Sequence, residues 1–423
     1  MEKLVCRISE IGKIVGGGTP STKNTEYWGG NIPWISPKDL TDYNYTYISH
    51  GENYLTEKGM KSGTRLLPKD TVLFSSRAPI GYVALAANPI CTNQGFKSVV
   101  CDKDKIEPLY LYYYLKANLN YIKLFGSGAT FPEISGKTMG KIKIEIHKNL
   151  DVQHRIASIL STYDTLIENN TKRIRLLEKM AENLYKEWFV RFRFPGHEKV
   201  EFGESKYGKL PNTFRILRMN EVFDYYIGGG WGEEEQSEDF PEEASVIRGA
   251  DFPNVWHYDV SSCPRRFHKA KNYAARQLQA GDIVMEISGG TSEQPVGRTV
   301  LATQELIDRF EGGRVICASF CKLIRVDKEI VSPYYFYYWM KFLYDTRIID
   351  RFQLQSTGII NFKFEPFLRK GDVMLPPKEI MEAFEKQVSV LHKEMNQLAK
   401  QNTLLARQRD LLLPRLMSGK LEV

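Results

Sequence analysis

A few short motifs in this sequence contain residue types that occur in catalytic or nucleotide-binding sites. The Gly-Lys-Thr at 136–138 has the ending of a phosphate-binding loop, but position 131, where that motif needs its first glycine, is Phe131. The Ser-Pro-Tyr-Tyr at 332–335 is similar to the tetrapeptide of amino-methyltransferases, but it lacks the second proline. The glycine runs at 16–18 and 228–230 are not dinucleotide fingerprints, and the seven histidines form no Ser/His/Asp or HExxH group. These observations predict a chain that is not an enzyme.

The cysteine pattern argues against a metal centre. The six cysteines include no Cys-x-x-Cys pair, and no histidine lies near them at ligand spacing. Cys317 and Cys321 lie in an apolar run that is typical of a strand, where core packing is the expected role. We therefore expect reduced thiols and no metal.

The length indicates more than one domain, and the lack of a long apolar run and of a signal-peptide layout predicts a cytoplasmic protein. The 423 residues predict two or three domains, and the formal net charge of +7 favours a nucleic-acid partner only weakly. The sequence has no run of about 18 apolar residues. The N-terminus lacks the basic and then apolar layout of a signal peptide.

The elements that must position any binding residues are organised around a long helix. From Ile156 to Trp188, apolar residues recur at alternating steps of four and three residues, which is the heptad spacing of a coiled coil. At about 1.5 Å per residue this helix would be roughly 50 Å long, too long for one small domain to pack. The positions of this first seam are Ile156, Leu160, Tyr163, Ile167, Asn170, Ile174, Leu177, Ala181, Leu184 and Trp188.

The same spacing returns near the end of the chain, 228 residues later. The positions of this second seam are Phe384, Val388, Leu391, Met395, Leu398, Asn402, Leu405, Arg409, Leu412 and Leu416. The match breaks where Arg409 replaces Ala181. Two long helices that carry the same apolar stripe should pair with each other, because a helix left alone would expose a long apolar strip. Two separate core helices, or two helices that each recruit another protein, are the alternatives.

The segment before each long helix has a β-rich pattern. In the first segment, residues 70–85 indicate a strand, an exposed loop and a strand, and Pro108 opens a short helix over 109–118. The four tyrosines of that helix could stack on bases, but clustered tyrosines on a short helix more often pack a core. In the second segment, the helix-opening Pro333 and its aromatic run match the first at an offset of 225 residues.

The sequence is therefore a tandem repeat, and it predicts an α+β fold. Two tandem β-rich domains would be joined by two long helices that form an antiparallel coiled coil with pseudo-two-fold symmetry. The predicted boundaries are 1–150 for the first domain, 151–194 for the first long helix, 195–212 for a linker, 213–375 for the second domain and 376–423 for the second long helix.

Such a repeat would have a pseudo-two-fold axis, and a B-DNA duplex has two-fold symmetry of its own. Major-groove faces of B-DNA recur about every 34–36 Å along the duplex. Two domains held apart by a rigid helix pair would read two half-sites separated by an unread gap. Because the domains differ in sequence, the half-sites should differ too.

Several stretches also carry a family resemblance. Gln153-His154-Arg155-Ile156-Ala157-Ser158-Ile159-Leu160, with Asp164, Ile167 and Trp188-Phe189, resembles the first spacer of type I restriction-modification specificity subunits. The stretches that are similar to the opening of that family's target-recognition domains are Gly17-Gly18-Thr19-Pro20-Ser21, Tyr27-Trp28-Gly29-Gly30 and Ile32-Pro33-Trp34-Ile35. The segment that resembles the family's C-terminus is Leu412-Leu413-Pro414-Arg415-Leu416-Met417-Ser418-Gly419-Lys420-Leu421. The two predicted domains would then be target-recognition domains.

The resemblance implies a non-catalytic, sequence-specific DNA-binding subunit that reads a bipartite, asymmetric site. It also implies that the chain binds two modification (methyltransferase) subunits and, with them, restriction (helicase/nuclease) subunits. S-adenosylmethionine, ATP and Mg would belong to those partners, with no cofactor in this chain. The alternative is a coiled-coil scaffold that assembles partners without reading DNA.

Polar side chains in loops beside glycine are the candidates for DNA contact. Glycine would let backbone N–H groups approach phosphates, and Arg, Gln and Asn present paired groups to base edges. The candidates in the first domain are Thr19, Ser36, Lys38, Ser76, Arg77, Asn93, Gln94, Lys97 and Thr130. The candidates in the second domain are Trp231, Arg248, Asp251, Ser288, Arg298, Ser319 and Thr357. For each of them an ordinary turn or surface role is the alternative, and Arg77, at the tip of a strand-loop-strand, is the first choice.

Two asparagines are predicted to set the register of the helix pair. Asn170 lies near the centre of the first seam, and in a symmetric antiparallel pair it would face Asn402 of the second. A hydrogen bond between the two side chains would fix the register at some cost in stability.

Overall fold

The protein folds into two compact units that both mix helices and strands, as expected for the predicted α+β class. The computed structural model describes residues 2–41, 43–128, 132–291, 293–356 and 359–423. Unit 1 consists of Met1–Asn169 and Asn402–Val423, and unit 2 consists of Asn170–Gln401.

Among the described residues up to the end of the first long helix there are ten strands and six α-helices. The strands are β1 (Lys3–Arg7), β2 (Gly12–Gly16), β3 (Trp28–Ile35), β4 (Tyr47–Ile48), β5 (Asn53–Leu55), β6 (Val72–Ser76), β7 (Ile80–Ala86), β8 (Cys91–Thr92), β9 (Lys97–Cys101) and β10 (Lys143–His147). The helices are α1 (Ile8–Ile11), α2 (Glu57–Gly63), α3 (Pro108–Ala117), α4 (Leu119–Lys123), α5 (Gly136–Lys141) and α6 (Leu150–Tyr185).

The strands of unit 1 form three sheets. The largest has the order β2-β9-β6-β7-β4, a second has the order β5-β3-β8, and β1 pairs with β10. The strand-loop-strand predicted over 70–85 is confirmed as the antiparallel pair β6 and β7.

The aromatic helix of unit 1 belongs to its core. The predicted helix opening at Pro108 is confirmed in α3, where the Glu107 side chain accepts a hydrogen bond from the backbone N–H of Leu109. All four tyrosines of α3 are at most 6% exposed. They pack the core, and they are not a stacking surface for bases.

The remaining elements begin after the first long helix, which ends in a π-helical turn, Lys186–Val190. The strands are β11 (Phe202–Ser205), β12 (Gly208–Pro211), β13 (Arg215–Arg218), β14 (Phe223–Gly228), β15 (Glu242–Ile247), β16 (Arg265–His268), β17 (Asp282–Glu286), β18 (Ser288–Gly290), β19 (Thr299–Ala302), β20 (Val315–Cys317), β21 (Cys321–Val326), β22 (Gln353–Ser356), β23 (Ile359–Phe362) and β24 (Asp372–Leu375). The helices are α7 (Met219–Val222), α8 (Phe252–Val255), α9 (Ala270–Arg276), α10 (Gln304–Ile307), α11 (Pro333–Asp345), α12 (Phe364–Lys370) and α13 (Lys378–Ser418).

Unit 2 repeats the strand arrangement of unit 1. Its main sheet has the order β14-β21-β17-β19, which corresponds to β2-β9-β6-β7. The sheet β16-β15-β20 corresponds to β5-β3-β8, and in both sheets the middle strand pairs in parallel with the last strand named. The pair β13 and β24 corresponds to β1 and β10. The sequence repeat is thus also a repeat of topology.

Among the described residues, two parts of unit 2 differ from unit 1. The sheet β18-β23-β22 is found in unit 2, whereas the corresponding stretch of unit 1 contains an isolated antiparallel bridge between Ser127 and Glu133. The segment predicted as a linker, 195–212, contains an antiparallel hairpin of β11 and β12, with Gly208 at a φ of +91°. Glycine suits this turn because other residues avoid positive φ.

The seam residues of both long helices face protein interior. Every position of the two predicted seams is buried or half-buried. In unit 1, Ile156 and Leu160 share a core with Leu416. Within unit 2 the two helices run antiparallel: Arg173 contacts Glu394 at 2.9 Å, and further along α6 the ring centroids of Trp188 and Phe384 are 6.0 Å apart.

Two polar pairs interrupt the apolar seams. In unit 1, Arg409 forms an ion pair with Asp164. In unit 2, the Asn170 side-chain N–H donates to Gln401 Oε1 at 3.3 Å. Asn170 is therefore hydrogen-bonded to Gln401, the residue that precedes Asn402. The predicted hydrogen bond between Asn170 and Asn402 stays a prediction.

All six cysteines are free thiols. Burial raises the pKa of the Cys91 thiol to about 11 and that of the Cys317 thiol to about 12. Such thiols are poor nucleophiles at neutral pH, because the reactive form is the thiolate. Among the described residues, no helix has the length and apolar character needed to cross a membrane.

Candidate nucleic-acid interface

The glycine runs at 16–18 and 228–230 allow their backbone to lie directly against that of a neighbouring segment. A Cβ atom on Gly17 would lie 2.0 Å from the Asn93 carbonyl oxygen, and one on Gly229 would lie 2.1 Å from the Ala318 carbonyl oxygen. Gly18 N–H donates to the Thr92 carbonyl at 2.8 Å. In unit 2, the N–H groups of residues 229 and 230 donate to carbonyls in the same way, at 2.9 Å. These amides are therefore already bonded to backbone carbonyls.

In unit 1 the glycine run supports a cluster of polar side chains around the turn between β8 and β9. Thr19 Oγ1 is hydrogen-bonded to Gln94 Oε1. Lys97 Nζ donates to the Gln94 carbonyl at 3.1 Å and to Glu133 Oε1 at 3.1 Å. Arg77, directly after β6, contacts Glu133 Oε2 at 3.5 Å. We call Thr19, Arg77, Gln94, Lys97 and Glu133 the Glu133 cluster.

The two cations of this cluster differ in freedom. The Lys97 side chain is 14% exposed, and it also reaches Ser76 Oγ at 3.4 Å. The Arg77 side chain is 38% exposed, and its ion pair with Glu133 is long. Arg77 is therefore the more weakly paired cation of the cluster, and it is the more exposed to solvent.

The other predicted residues of the first domain stabilise turns or point elsewhere. The Ser36 N–H and hydroxyl both donate to Asp39 Oδ2 at 2.7 Å, and Asn93 Oδ1 accepts from Gly95 N–H at 2.8 Å. Lys38 is exposed and pairs with Glu52 at 3.1 Å. Ser76 is fully buried, where its hydroxyl donates to the Gly95 carbonyl. Thr130 lies outside the described residues.

In unit 2 the predicted Trp231 lies at the surface beside a cation. Trp231 is 39% exposed, and the Arg266 guanidinium lies 4.8 Å from the centroid of its ring. Such a pair is a cation–π contact. Ser319 is also exposed, in the turn between β20 and β21, where its neighbour Phe320 is 67% exposed.

Two predicted residues of unit 2 form an internal ion pair. Arg248 donates to both carboxylate oxygens of Asp251, at 2.8 and 2.9 Å. Asp251 is 1% exposed. Its burial alone would raise the pKa of the carboxyl group, but the hydrogen bonds from Arg248 outweigh that effect and the pKa lies below its ordinary value. Asp251 fixes the loop, and its carboxylate is covered.

Arg298 is buried in unit 2, and Ser288 is half-buried there. Arg298 is 7% exposed and donates to both oxygens of Glu286, at 2.7 and 2.8 Å. Ser288 Oγ donates to Asn361 Oδ1 at 2.6 Å. Thr357 lies outside the described residues. In this structure the exposed candidates of the second domain are therefore Trp231, Ser319 and, in part, Arg248.

Sequence reasoning missed the acidic member of the first cluster. Glu133 contacts two of the predicted cations, although it is 36 residues from Lys97 and 56 residues from Arg77 in the sequence. A single acidic residue in a polar loop forms no sequence pattern that would pair it with cations so far away in the chain. Among the described residues, no group of three or more His, Cys, Asp or Glu side chains could hold a metal ion.

Comparisons with known proteins identify the family. The model of the type I restriction modification DNA specificity domain matches residues 2–179. The MjaIX specificity subunit of Methanocaldococcus jannaschii, a type I restriction enzyme subunit, is 32% identical over 99% of this chain and 93% of its own length. The chain belongs to the type I restriction enzyme specificity subunits.

A further relative and a solved structure are also similar to this chain. The EcoR124I/EcoR124II specificity subunit of Escherichia coli is 33% identical, over 46% of this chain and 49% of its own length. The crystal structure of a type I S subunit from M. genitalium matches with a TM-score of 0.58 at 16% identity, covering 99% of this chain and 96% of that one. At this identity the structural match supports the fold alone.

Proposed function

We propose that this specificity subunit reads a bipartite, asymmetric DNA site, one half with each unit, and has no catalytic activity of its own. The observation that carries the proposal is the repeated strand arrangement, in which the same turn presents polar side chains in both units. In unit 1 this turn carries the Glu133 cluster, and in unit 2 it carries Ser319. Two similar readers with different side chains fit two different half-sites.

The two long helices supply the spacing in this proposal. Their matching seams would form an antiparallel coiled coil with pseudo-two-fold symmetry, which would place the two readers on two half-sites and leave the gap unread. The half-sites would be separated by a fixed number of base pairs, because a helix pair of this kind is stiff.

The partners in this proposal are two modification (methyltransferase) subunits and, with them, restriction (helicase/nuclease) subunits. S-adenosylmethionine, ATP and Mg would be held by those subunits. Exposed positions on the long helices, such as Arg173, would border the docking surface for the modification subunits, because the helices are shared by both repeats.

Salt dependence separates this function from that of a scaffold that does not read DNA. The complex that contains this chain should bind duplex DNA with an affinity that falls steeply as salt rises, because several Lys and Arg side chains would release counterions from phosphates. A complex that assembles normally but shows no binding to duplex DNA would support the scaffold.

A further inference from the structure

The turn between β20 and β21 in unit 2 carries an aromatic side chain that is largely open to solvent. Phe320 is 67% exposed, the largest exposed fraction of any Phe, Trp or Tyr in the described part of the chain. Single exposed apolar side chains are common on protein surfaces, so exposure alone assigns no role. What distinguishes Phe320 is its position in the fold.

The backbone beneath Phe320 is fixed by hydrogen bonds. Cys321 N–H donates to the Ala318 carbonyl at 2.8 Å and closes the turn. The Phe320 carbonyl accepts from Ile287 N–H at 2.9 Å, and Ala318 N–H donates to the Ile247 carbonyl at 2.9 Å. The turn therefore presents its side chains from a preformed backbone, which lowers the entropy cost of binding.

Unit 1 has the same turn between β8 and β9, held by the same kinds of bond. Phe96 N–H donates to the Asn93 carbonyl at 3.2 Å, and Ser76 N–H donates to the Gly95 carbonyl at 2.7 Å. These bonds place Gly95 at the position of Phe320. The two turns therefore share a backbone arrangement, but at this position unit 1 has no side chain and unit 2 has a phenyl ring.

The composition of the second turn fits an apolar group on DNA. Residues 317–321 contain no charged side chain, so this turn supplies no cation for a phosphate. A phenyl ring also lacks the N–H and O atoms that pair with the polar edges of bases. In the major groove the apolar group is the C5 methyl of thymine, and Phe is among the side chains that contact it.

We infer that Phe320 is a specificity-determining residue that contacts the methyl group of a thymine in the second half-site. The inference rests on the proposed function, because it needs this turn to lie in the major groove. It gives the two readers different chemistry, with polar side chains around the turn in unit 1 and an apolar contact in unit 2. A partner protein is the other surface that would cover an exposed phenyl ring, and the experiment separates the two.

The first arm of the test compares the base preferences of assembled complexes. Complexes with the wild-type chain or with Phe320→Ala select from duplexes of random sequence, and the bound DNA is sequenced. The wild type should prefer thymine at one position of the second half-site. Phe320→Ala should lose that preference and keep the first half-site unchanged. Phe202→Ala is the control, because Phe202 is also exposed, at 46%, but lies in the hairpin of β11 and β12.

The second arm replaces the preferred thymine by uracil, which lacks only the methyl group. This exchange should weaken DNA binding by the wild-type complex about fourfold, the effect of one lost methyl contact. Phe320→Ala should bind the thymine and uracil duplexes equally. Phe320→Leu should retain a preference for thymine, because it keeps an apolar side chain.

Three outcomes would overturn the inference. If Phe320→Ala keeps the base preference, or loses as much affinity on the thymine-to-uracil exchange as the wild type, Phe320 does not contact a methyl group, and the proposed function is unaffected. If the folded Phe320→Ala chain no longer assembles with the modification subunits, the phenyl ring contacts a protein. If the wild-type complex binds no duplex DNA, the proposed function fails and the inference fails with it.

Discussion

Arg77 and Lys97 share one carboxylate, and this sharing gives them different roles. Lys97 is nearly covered and has three acceptors, Glu133, Ser76 and the Gln94 carbonyl. It therefore holds the turn between β8 and β9 in shape. Arg77 has one long ion pair and a side chain that is 38% exposed. Exchanging that contact for a base or a phosphate would cost little, since exposed ion pairs contribute only about 0–1 kcal/mol.

Arg77 is therefore the side chain whose removal should affect DNA binding most selectively. We expect Arg77→Ala to weaken DNA binding by about 1–3 kcal/mol without changing the melting temperature. Lys103→Ala is a suitable control, because Lys103 is also an exposed cation with one carboxylate partner, Asp70. If a well-folded Arg77→Ala complex binds DNA as tightly as the wild type, Arg77 is an ordinary surface residue.

His392 makes the stability of unit 2 depend on pH. It is 8% exposed, and its ring nitrogens contact the hydroxyl groups of Tyr258 at 2.7 Å and Tyr338 at 3.0 Å. Burial lowers the pKa of His392 to about 4, and the charge of Glu178 opposes this shift only in part. An unfolded histidine has a pKa of about 6.5. Between these two values the unfolded state binds more protons, so stability rises with pH.

Lowering the pH from 7 to 5 should therefore destabilise the wild type by about 2 kcal/mol more than His392→Gln. Denaturant unfolding followed by tryptophan emission is a suitable measurement, because Trp188, Trp231, Trp256 and Trp339 all lie in unit 2. An identical pH dependence of the wild type and the variant would show that His392 is accessible to protons in the folded state.

Loop composition was sufficient to name Arg77, Gln94 and Lys97 as candidates, but it did not predict that they lie around one turn. It could not separate exposed from buried polar residues. Arg298 and Asp251 have the same residue types as surface contacts, but both side chains are buried in ion pairs, with Glu286 and Arg248 respectively. Which arginine finds an internal partner is decided by tertiary packing.

At the scale of the elements, the ion pair between Asp164 and Arg409 explains the break in the sequence repeat. Asp164 also accepts a hydrogen bond from the Tyr113 hydroxyl at 2.5 Å. The repeat offsets place His392 at the position of Asp164, Ala181 at that of Arg409 and Tyr338 at that of Tyr113. Unit 1 therefore contains a charged Tyr-Asp-Arg group where unit 2 contains a histidine between two tyrosines.

Breaking this ion pair should destabilise unit 1. The Arg409 and Asp164 side chains are 20% and 13% exposed, so Arg409→Ala leaves a largely buried carboxylate and should cost about 3 kcal/mol. Arg173→Ala, which removes an exposed pair with Glu394, should cost less than about 1 kcal/mol.

A double-mutant cycle with Asp164→Asn isolates the interaction of this pair. Arg409→Ala should cost at least about 1 kcal/mol less in the Asp164→Asn background than in the wild type. Additive effects in urea unfolding would mean that the two side chains contribute independently.

The heptad spacing was enough to predict both long helices and their buried faces, because a 4-3 alternation of this length is hard to place on a strand or a loop. The polar contacts of the seam were harder to predict. Asn170 is bonded to Gln401, since a hydrogen bond depends on rotamers and on small shifts between helices that residue spacing does not report.

At the scale of the whole molecule, the repeated topology was visible in the sequence through its turns and its helix-opening prolines. The sheet β18-β23-β22 and the hairpin of β11 and β12 were not predicted, because such short strands have no periodic signal of their own. The described parts of the two units differ in these strands. In the proposed function, such differences accompany the reading of two different half-sites.

Methylation mapping tests this central claim most directly. Genomic DNA would be compared from cells that carry the complete system with either the wild-type chain or a chain whose residues 213–375 are replaced by the equivalent segment of another specificity subunit. We expect the complete system with the wild-type chain to methylate a two-part site with an unread gap. The exchange should change one half of that site and keep the other half. A change in both halves, or in neither, would contradict the account in which each unit reads its own half-site.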